Sequence, residues 1–456
     1  MENVVQQIRI KYSITQEELA HILGVSYSSV NAWEGGKRVP QEQMLHMLTD
    51  ILNADALPNV DGSSNRAKGL FRSGAGYVSS VVDYDNIRDP FPYTHGIGRW
   101  YGSLPSFLVR DFLQFARTDL NAAGPVLANF SGSGTVPLEA GLSSAESFAT
   151  DINPMALLLS RLKTSRFDVS DSELLSAHRR IISRHGTSDR SDPGSSSNLL
   201  VTDNKWLSGC TRADLADLCG GISAETDFAV QLIFSVALAT VAVDFANVDK
   251  RCTNHYVYKE NPNYSRSALE TRLLEEAAKY LELSRTLADA PNYVVPTICY
   301  GDACSLPFES STMGLVFSHP PYGTTINYYS INRIPISIIE RISFRNSLNL
   351  PAGDLCKKKD LSSGTLPRFQ SFTKDWISEV SRVLKPGGIL ITVVGDSRDG
   401  GKLSHPFTDI IAAGEANGLI LKELFIWVTN HKAGMHVKRK GNHIDHNYII
   451  MMEKSV

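Results

Sequence analysis

The chain has 456 residues, 42% of them hydrophobic, and a formal net charge of −3, which fits an ordinary folded protein of roughly two to four domains. No uninterrupted apolar run of about 18 residues occurs, so no membrane span is expected, and the start Met1-Glu2-Asn3-Val4-Val5 lacks the basic and apolar stretches of a secretory leader. The six cysteines form no Cys-x-x-Cys pair and no histidines flank them at zinc spacing, so the expectation is free thiols in a reducing cytoplasm and no metal; the slightly acidic balance leaves any polyanion contact to local patches.

Residues 1–55 read as a compact helical unit. Thr15-Gln16-Glu17-Glu18 is a capping box that opens a helix with Leu19, Ile22 and Leu23 on its apolar face. Gly24-Val25 turns the chain, and Ser26 caps a second helix running through Val30 and Trp33. Helix, short glycine-containing turn, helix is the helix-turn-helix arrangement, whose second helix enters the major groove. Tyr27, Ser28 and Ser29 then face base edges, and Lys37 and Arg38 face phosphate. The unit is net acidic, so a helical protein-interaction module is the other reading; DNA is the preferred one.

Residues 56–90, with Pro58, Gly62-Ser63-Ser64-Asn65 and Gly74-Ala75-Gly76, read as a linker. Residues 91–456 form the main domain. From about residue 124, apolar strands alternate with helices: 125–130, 146–151, 313–317 and 388–395 are the strands. That alternation predicts a doubly wound α/β sheet. Between about 160 and 295 the pattern is largely helical and reads as an insertion, with a loose stretch at 185–197.

Two corners of this domain carry chemistry. Phe130-Ser131-Gly132-Ser133-Gly134-Thr135 stands where a strand gives way to a helix, and glycine there lets backbone approach a ligand without a Cβ clash. Asp151 ends the next strand, where an acid accepts hydrogen bonds from ribose hydroxyls. The third glycine of the dinucleotide fingerprint is missing, which disfavours a nicotinamide cofactor. Asp302, in Tyr300-Gly301-Asp302-Ala303, either bonds an adenine amine at a strand end or belongs to an ordinary turn.

The second corner is Ser318-His319-Pro320-Pro321-Tyr322. Two prolines cannot continue a central ladder; they remove two N–H donors and leave carbonyls free to accept from a ligand. Tyr322 offers a face for stacking. An aromatic amine becomes nucleophilic when two acceptors hold its hydrogens and free its lone pair from the ring. A Pro-Pro turn packed by a core tyrosine is the plainer alternative; the cofactor loop upstream argues against it.

Together these residues resemble the DNA amino-methyltransferases, which make N6-methyladenine or N4-methylcytosine. Phe130, Gly132 and Gly134 meet the family's F-x-G-x-G motif, and Asp151 its acid in an Asp151-Ile152-Asn153-Pro154 context. Pro320, Pro321 and Tyr322 match its D/N/S-P-P-Y/F motif, with His319 where Asp, Asn or Ser is usual. Residues 372–395 resemble the helix, turn and central strand that follow, and Tyr93-Thr94-His95-Gly96 through Pro105 the segment that closes over the methionine end. Thr15 to Pro40 resembles a phage-repressor helix-turn-helix.

The resemblance implies an S-adenosylmethionine-dependent methyltransferase fold, S-adenosylmethionine as cofactor, duplex DNA as partner, and a setting that accommodates a cognate restriction endonuclease. It implies that Asp151 holds the ribose and Asp302 the adenine. His319 and the Pro320 carbonyl take the amine hydrogens, and Tyr322 stacks on a flipped base. Two alternatives stay open: an RNA amino-methyltransferase, and a transcription regulator whose methyltransferase domain does not react.

Overall fold

A computed structural model describes residues 3–12, 16, 19, 27–40, 44–45, 48–49, 52, 66–72, 78–82, 93–98, 100–118, 120–183, 206–248, 264–321, 327–342, 349–351, 353–359, 361, 366–395, 397–399, 402–428 and 446–456. The chain divides into two compact units, residues 1–88 with 389–456, and residues 89–388.

In the first unit, α1 (Val4–Tyr12) and α2 (Tyr27–Glu34) are tied together by charge. Arg9 donates to both carboxylate oxygens of Glu34 at 2.6 and 2.7 Å, and the Gln16 amide donates to the same carboxylate at 2.7 Å. The Asn3 amide donates to the Trp33 carbonyl. Val5, Ile8, Leu19, Val30 and Leu48 are fully buried. The stretch read as a linker carries two strands, β1 (Arg66–Arg72) and β2 (Val78–Val82), paired antiparallel.

The second unit opens with α3 (Ser106–Thr118), whose Leu108, Val109, Phe112, Leu113 and Phe115 recur at helical spacing and are buried. Strand and helix then alternate: β3 (Val126–Ala128), α4 (Thr135–Leu142), β4 (Ser147–Asp151) and α5 (Pro154–Thr164). Four further helices follow: α6 (Asp171–Ser183), α7 (Gly209–Ser223), α8 (Phe228–Asp244) and α9 (Arg266–Arg285). Helix α8 is apolar nearly all round, and eleven of its residues are buried, so it is the centre of this helical part. Its N-cap Asp227 accepts from the Val230 N–H, as Ser208 and Ser265 do for Thr211 and Ala268 at the starts of α7 and α9. The loose stretch at 185–197 lies outside the described residues.

The unit continues with β5 (Thr297–Tyr300), β6 (Met313–Ser318), α10 (Tyr328–Arg341), α11 (Gly353–Lys359) and α12 (Leu366–Val383). Its strands are parallel in the order β6-β3-β4-β5. The chain walks outward from β3 to β5, then returns to the other side of β3. Right-handed crossovers on both sides of such a reversal place helices on both faces, the doubly wound α/β arrangement. The reversal falls between β3 and β6, where Ala128 pairs with Phe317.

The chain ends with β7 (Leu384–Gly395), β8 (Ser397–Asp399), β9 (Lys402–Ser404), α13 (Pro406–Ala416), β10 (Leu419–Val428) and β11 (His446–Lys454). Within the first unit β10 and β11 are antiparallel, β11 is antiparallel to β7 over Ile389–Gly395, and β2 runs parallel to β10. Within the stretch 56–90 read as linker, 66–72 and 78–82 are strand, and Ser79 to Val82 pair with Leu424 to Trp427. Its short strands are bounded by glycine and serine, and that punctuation hid them. No described helix is long and apolar enough to cross a membrane.

A charge cluster centred on a buried acid fixes α4 to the segment that precedes β3. Glu139 is fully buried; it bonds His95 Nε2 at 2.7 Å and accepts from Arg110 Nε and Nη2 at 2.8 and 3.0 Å. Burial lowers the His95 pKa against the pull of the carboxylate. Removing Glu139 leaves the His95 ring buried without its partner, whereas the half-exposed Arg110 guanidinium keeps water. Glu139→Ala is expected to cost about 1–3 kcal/mol, read as a lowered urea midpoint at unchanged slope.

Candidate active site

The cofactor loop leaves β3 through Asn129 and Phe130. The Ser131 N–H donates to the Thr150 carbonyl at 2.9 Å, which holds the loop against β4. Gly134, at φ 81°, caps α4, and a Cβ there would meet Ser160 Cα at 2.8 Å. The close approach is locked by a 2.6 Å bond between the Ser131 and Ser160 hydroxyls. Phe130 packs edge-on against the fully buried Trp376, ring centroids 5.4 Å apart. That contact explains the aromatic residue at the head of the motif.

Asp151 ends β4 beside this loop. Its Oδ2 accepts from the Gly132 N–H and its Oδ1 from the Asn153 N–H, both at 2.9 Å. Burial nonetheless pushes its pKa up to about 6. Asp302 follows β5; its Oδ1 accepts from the Cys304 N–H at 3.1 Å and its Oδ2 is ion-paired with Lys359.

At the neighbouring strand end, Ser318 is fully buried and its Oγ donates to Asn129 Oδ1 at 2.6 Å. His319 and Pro321 open on a cavity, and desolvation lowers the His319 pKa to about 4, so its ring is neutral at pH 7. Pro320 is buried. Tyr322 lies outside the described residues.

One cavity of about 450 Å³ is lined from both corners, by Phe130, Ser131, Gly132, Ser133 and Thr135 on one side and His319 and Pro321 on the other. Asp151 and Asp302 also line it. Ser318, Pro320 and Gly134 do not; they stand behind the wall and shape it. Lining residues that escaped the sequence reading as ligand contacts include Trp100, Asn129, Asn153 and Lys359. Trp100 is stacked with Tyr328 at 6.1 Å, and its Nε1 stands 3.1 Å from where a Gly132 Cβ would be. Asn129 and Asn153 sit directly beside the two motifs, which was the available signal. Each spends its Oδ1 inside the protein, on Ser318 and on the Met155 N–H. Among the described residues neither Nδ2 has a hydrogen-bond partner, so each is a buried donor at a ligand cavity.

The residues expected to touch DNA lie in the other unit. Lys37 and Arg38 are exposed beyond the end of α2, and Ser29 is half-buried on it. Tyr27 and Ser28 open α2, but their side chains lie outside the described residues. His431-Lys432 and His436-Val437-Lys438-Arg439-Lys440, a local run of basic residues that either is a solvated face or holds phosphates, likewise lie outside them.

Residues 313–456 match the family model for DNA methylases. Residues 5–56 match a helix-turn-helix model. The methylase match begins at β6 and takes in the His-Pro-Pro corner; the cofactor loop precedes it. No curated protein matches the chain. Among solved structures, the chain is similar to a candidate DNA modification methylase from Thermus thermophilus complexed with S-adenosyl-L-methionine, at 22% identity over 34% of this chain and 52% of that one, with a TM-score of 0.22. It therefore spans about half the length of that relative. It is also similar to the rRNA methyltransferase aviRa from Streptomyces viridochromogenes, at 11% identity over 79% and 90% of the two chains, with a TM-score of 0.30.

Gly134→Ala meets both the left-handed backbone and the Ser160 contact, and is expected to cost about 2 kcal/mol or more. Gly209→Ala, where a Cβ meets nothing within 4 Å, serves as the control and leaves the urea midpoint almost unmoved.

Proposed function

We propose that this chain transfers a methyl group from S-adenosylmethionine to the exocyclic amine of adenine or cytosine in duplex DNA. The observation that carries the reading is the pairing of β3 with β6, which brings the glycine loop and the His-Pro-Pro corner to one cavity at the sheet's point of reversal. Open α/β sheets bind their ligands at that point. A restriction-modification or related bacterial system, with a cognate endonuclease, is the setting that suits such an activity.

The cavity's donors and acceptors fit the cofactor. In this reading Asp151 accepts from the ribose hydroxyls and Asp302 from the adenine amine, supported by both lining the cavity, and the orphaned amides of Asn129 and Asn153 supply donors. Gly132 leaves room for the chain of the cofactor to pass. When bound, the cofactor supplies an electrophilic methyl carbon on a sulfonium. His319, neutral above pH 4, accepts one hydrogen of the target amine through a ring nitrogen, and the Pro320 carbonyl accepts the other. Tyr322 stacks on the base. These contacts hold the amine lone pair out of the ring and in line, so the catalytic gain is mainly positioning.

A second reading has one observation behind it. His319 stands where the resembled family has Asp, Asn or Ser, and a helix-turn-helix match precedes it. In that reading the cavity binds cofactor without reaction and the chain regulates transcription.

Radiolabelled methyl transfer to duplex DNA and to tRNA, with both modified bases resolved by mass spectrometry, decides among these. Label in DNA as N6-methyladenine or N4-methylcytosine supports the proposal; cofactor binding with no label in DNA ends it. His319→Asn keeps an acceptor and is expected to retain most of the rate, whereas His319→Phe loses about 10²-fold, the usual size for one stabilising hydrogen bond in a closed site.

The pH dependence separates the two titrating groups. Asp151 is ionised above about pH 6 and loses acceptor capacity as pH falls through that value, while His319 stays neutral down to about pH 4. Cofactor affinity should therefore weaken below pH 6, and calorimetry on Asp151→Asn should find that limb gone.

A further inference from the structure

A chain with net charge −3 does not attract DNA as a whole, so the cavity needs a local source of attraction. One lies at its mouth. Helix α11 ends in Lys357, Lys358 and Lys359, all exposed, and Lys358 and Lys359 line the cavity with His319 and Pro321. Arg368, exposed on the first turn of α12, lines it too and donates from Nη2 to the Lys358 carbonyl at 3.2 Å. The Lys357 ammonium stands 6.0 Å over the Tyr329 ring, next to the cavity-lining Tyr328.

The charges at this mouth do not cancel. Lys359 is ion-paired with Asp302, which pins the end of α11 to the cofactor side of the cavity. Besides Asp151 and Asp302, Asp375 is the remaining described acid lining it, and it is exposed. Among the described residues Lys357 and Lys358 make no ion pair. A helix carboxyl end favours nearby cations, and one would satisfy it; a run of three, joined by an arginine from another helix, exceeds that need.

We propose that Lys357, Lys358 and Arg368 form a clamp for the backbone phosphates of the DNA strand that delivers the target base. The inference rests on the function proposed above and names the part of the partner that this surface holds. Extruding a base brings its flanking phosphates to the pocket mouth. Lysine meets them as a point charge and arginine as a two-toothed fork. Because Lys359 ties the same helix end to Asp302, the clamp is anchored to the cofactor pocket.

The test uses the full chain, saturating S-adenosylmethionine and a short duplex, with methyl transfer followed between 50 and 200 mM salt. The Lys358→Ala/Arg368→Ala variant should raise KM for duplex about tenfold. It should also flatten the log–log salt dependence of kcat/KM by about 1–2 units, the slope two phosphate contacts supply. Its affinity for S-adenosylmethionine without DNA, measured by calorimetry, reports whether the cavity is intact. The charge-keeping Lys358→Arg variant, with Arg368 left in place, should stay near wild type. An unchanged KM and slope in the alanine variant, or an equal loss in the charge-keeping variant, overturns the clamp. If the alanine variant does not fold, Lys357→Gln/Lys358→Gln carries the same two readouts. A wild type that methylates no DNA sinks the functional reading instead, and the clamp then stands or falls on the salt slope of duplex binding alone.

Discussion

Everything in the cavity depends on β3 lying beside β6. Neither strand is near the other in sequence, and the pairing is held by burial: Leu127, Val316 and Phe317 are each at most 1% exposed, worth about 1.5–3 kcal/mol apiece. The next residues out, Asn129 and Ser318, convert this apolar contact into a polar one through their buried hydrogen bond. Losing either partner would leave the other unsatisfied, at about 1–3 kcal/mol. The glycine turn and the proline corner are therefore fixed to a common base before any ligand arrives.

The electrostatics follow from that base. Two acids, Asp151 and Asp302, end the next strands along, and an uncharged imidazole sits across the cavity from them. Asp151 keeps its backbone donors yet is held near pH 6 by desolvation. The cavity thus combines an acid that is ionised above about pH 6 with a ring that stays neutral down to about pH 4. Glu139, with His95 and Arg110, does the equivalent task behind the wall by fixing the segment that carries Trp100.

The readable parts of the sequence were those with local chemistry. Glycines 132 and 134, Asp151 and the Pro320-Pro321 corner announce themselves because each needs a residue type that few positions tolerate. Strands such as β7 are legible from uninterrupted apolar runs. What stayed hidden is long-range. Nothing near Ser318 says that its hydroxyl is spent on Asn129, and nothing near Lys359 says that it meets Asp302. The strands at 66–72 and 78–82 were read as linker: the first pairs only with the second, and the second's other partner, Leu424 to Trp427, lies over 300 positions away. Ser318 belongs to the same class: it sits in the motif, but burial makes it a brace for the corner.

The bond between Asn129 and Ser318 has one more implication. Since the corner is built by lateral pairing, the direction in which the polypeptide visits its two halves is irrelevant to it. Helices α6 to α9 bridge β4 and β5 without supplying a cavity-lining residue. A gene rewired to enter the fold at that bridge, with its old ends joined, would visit the proline corner first and the glycine turn last, and would still close the same pocket. Motif order in chains of this build is thus a record of descent, free to vary while the chemistry stays put.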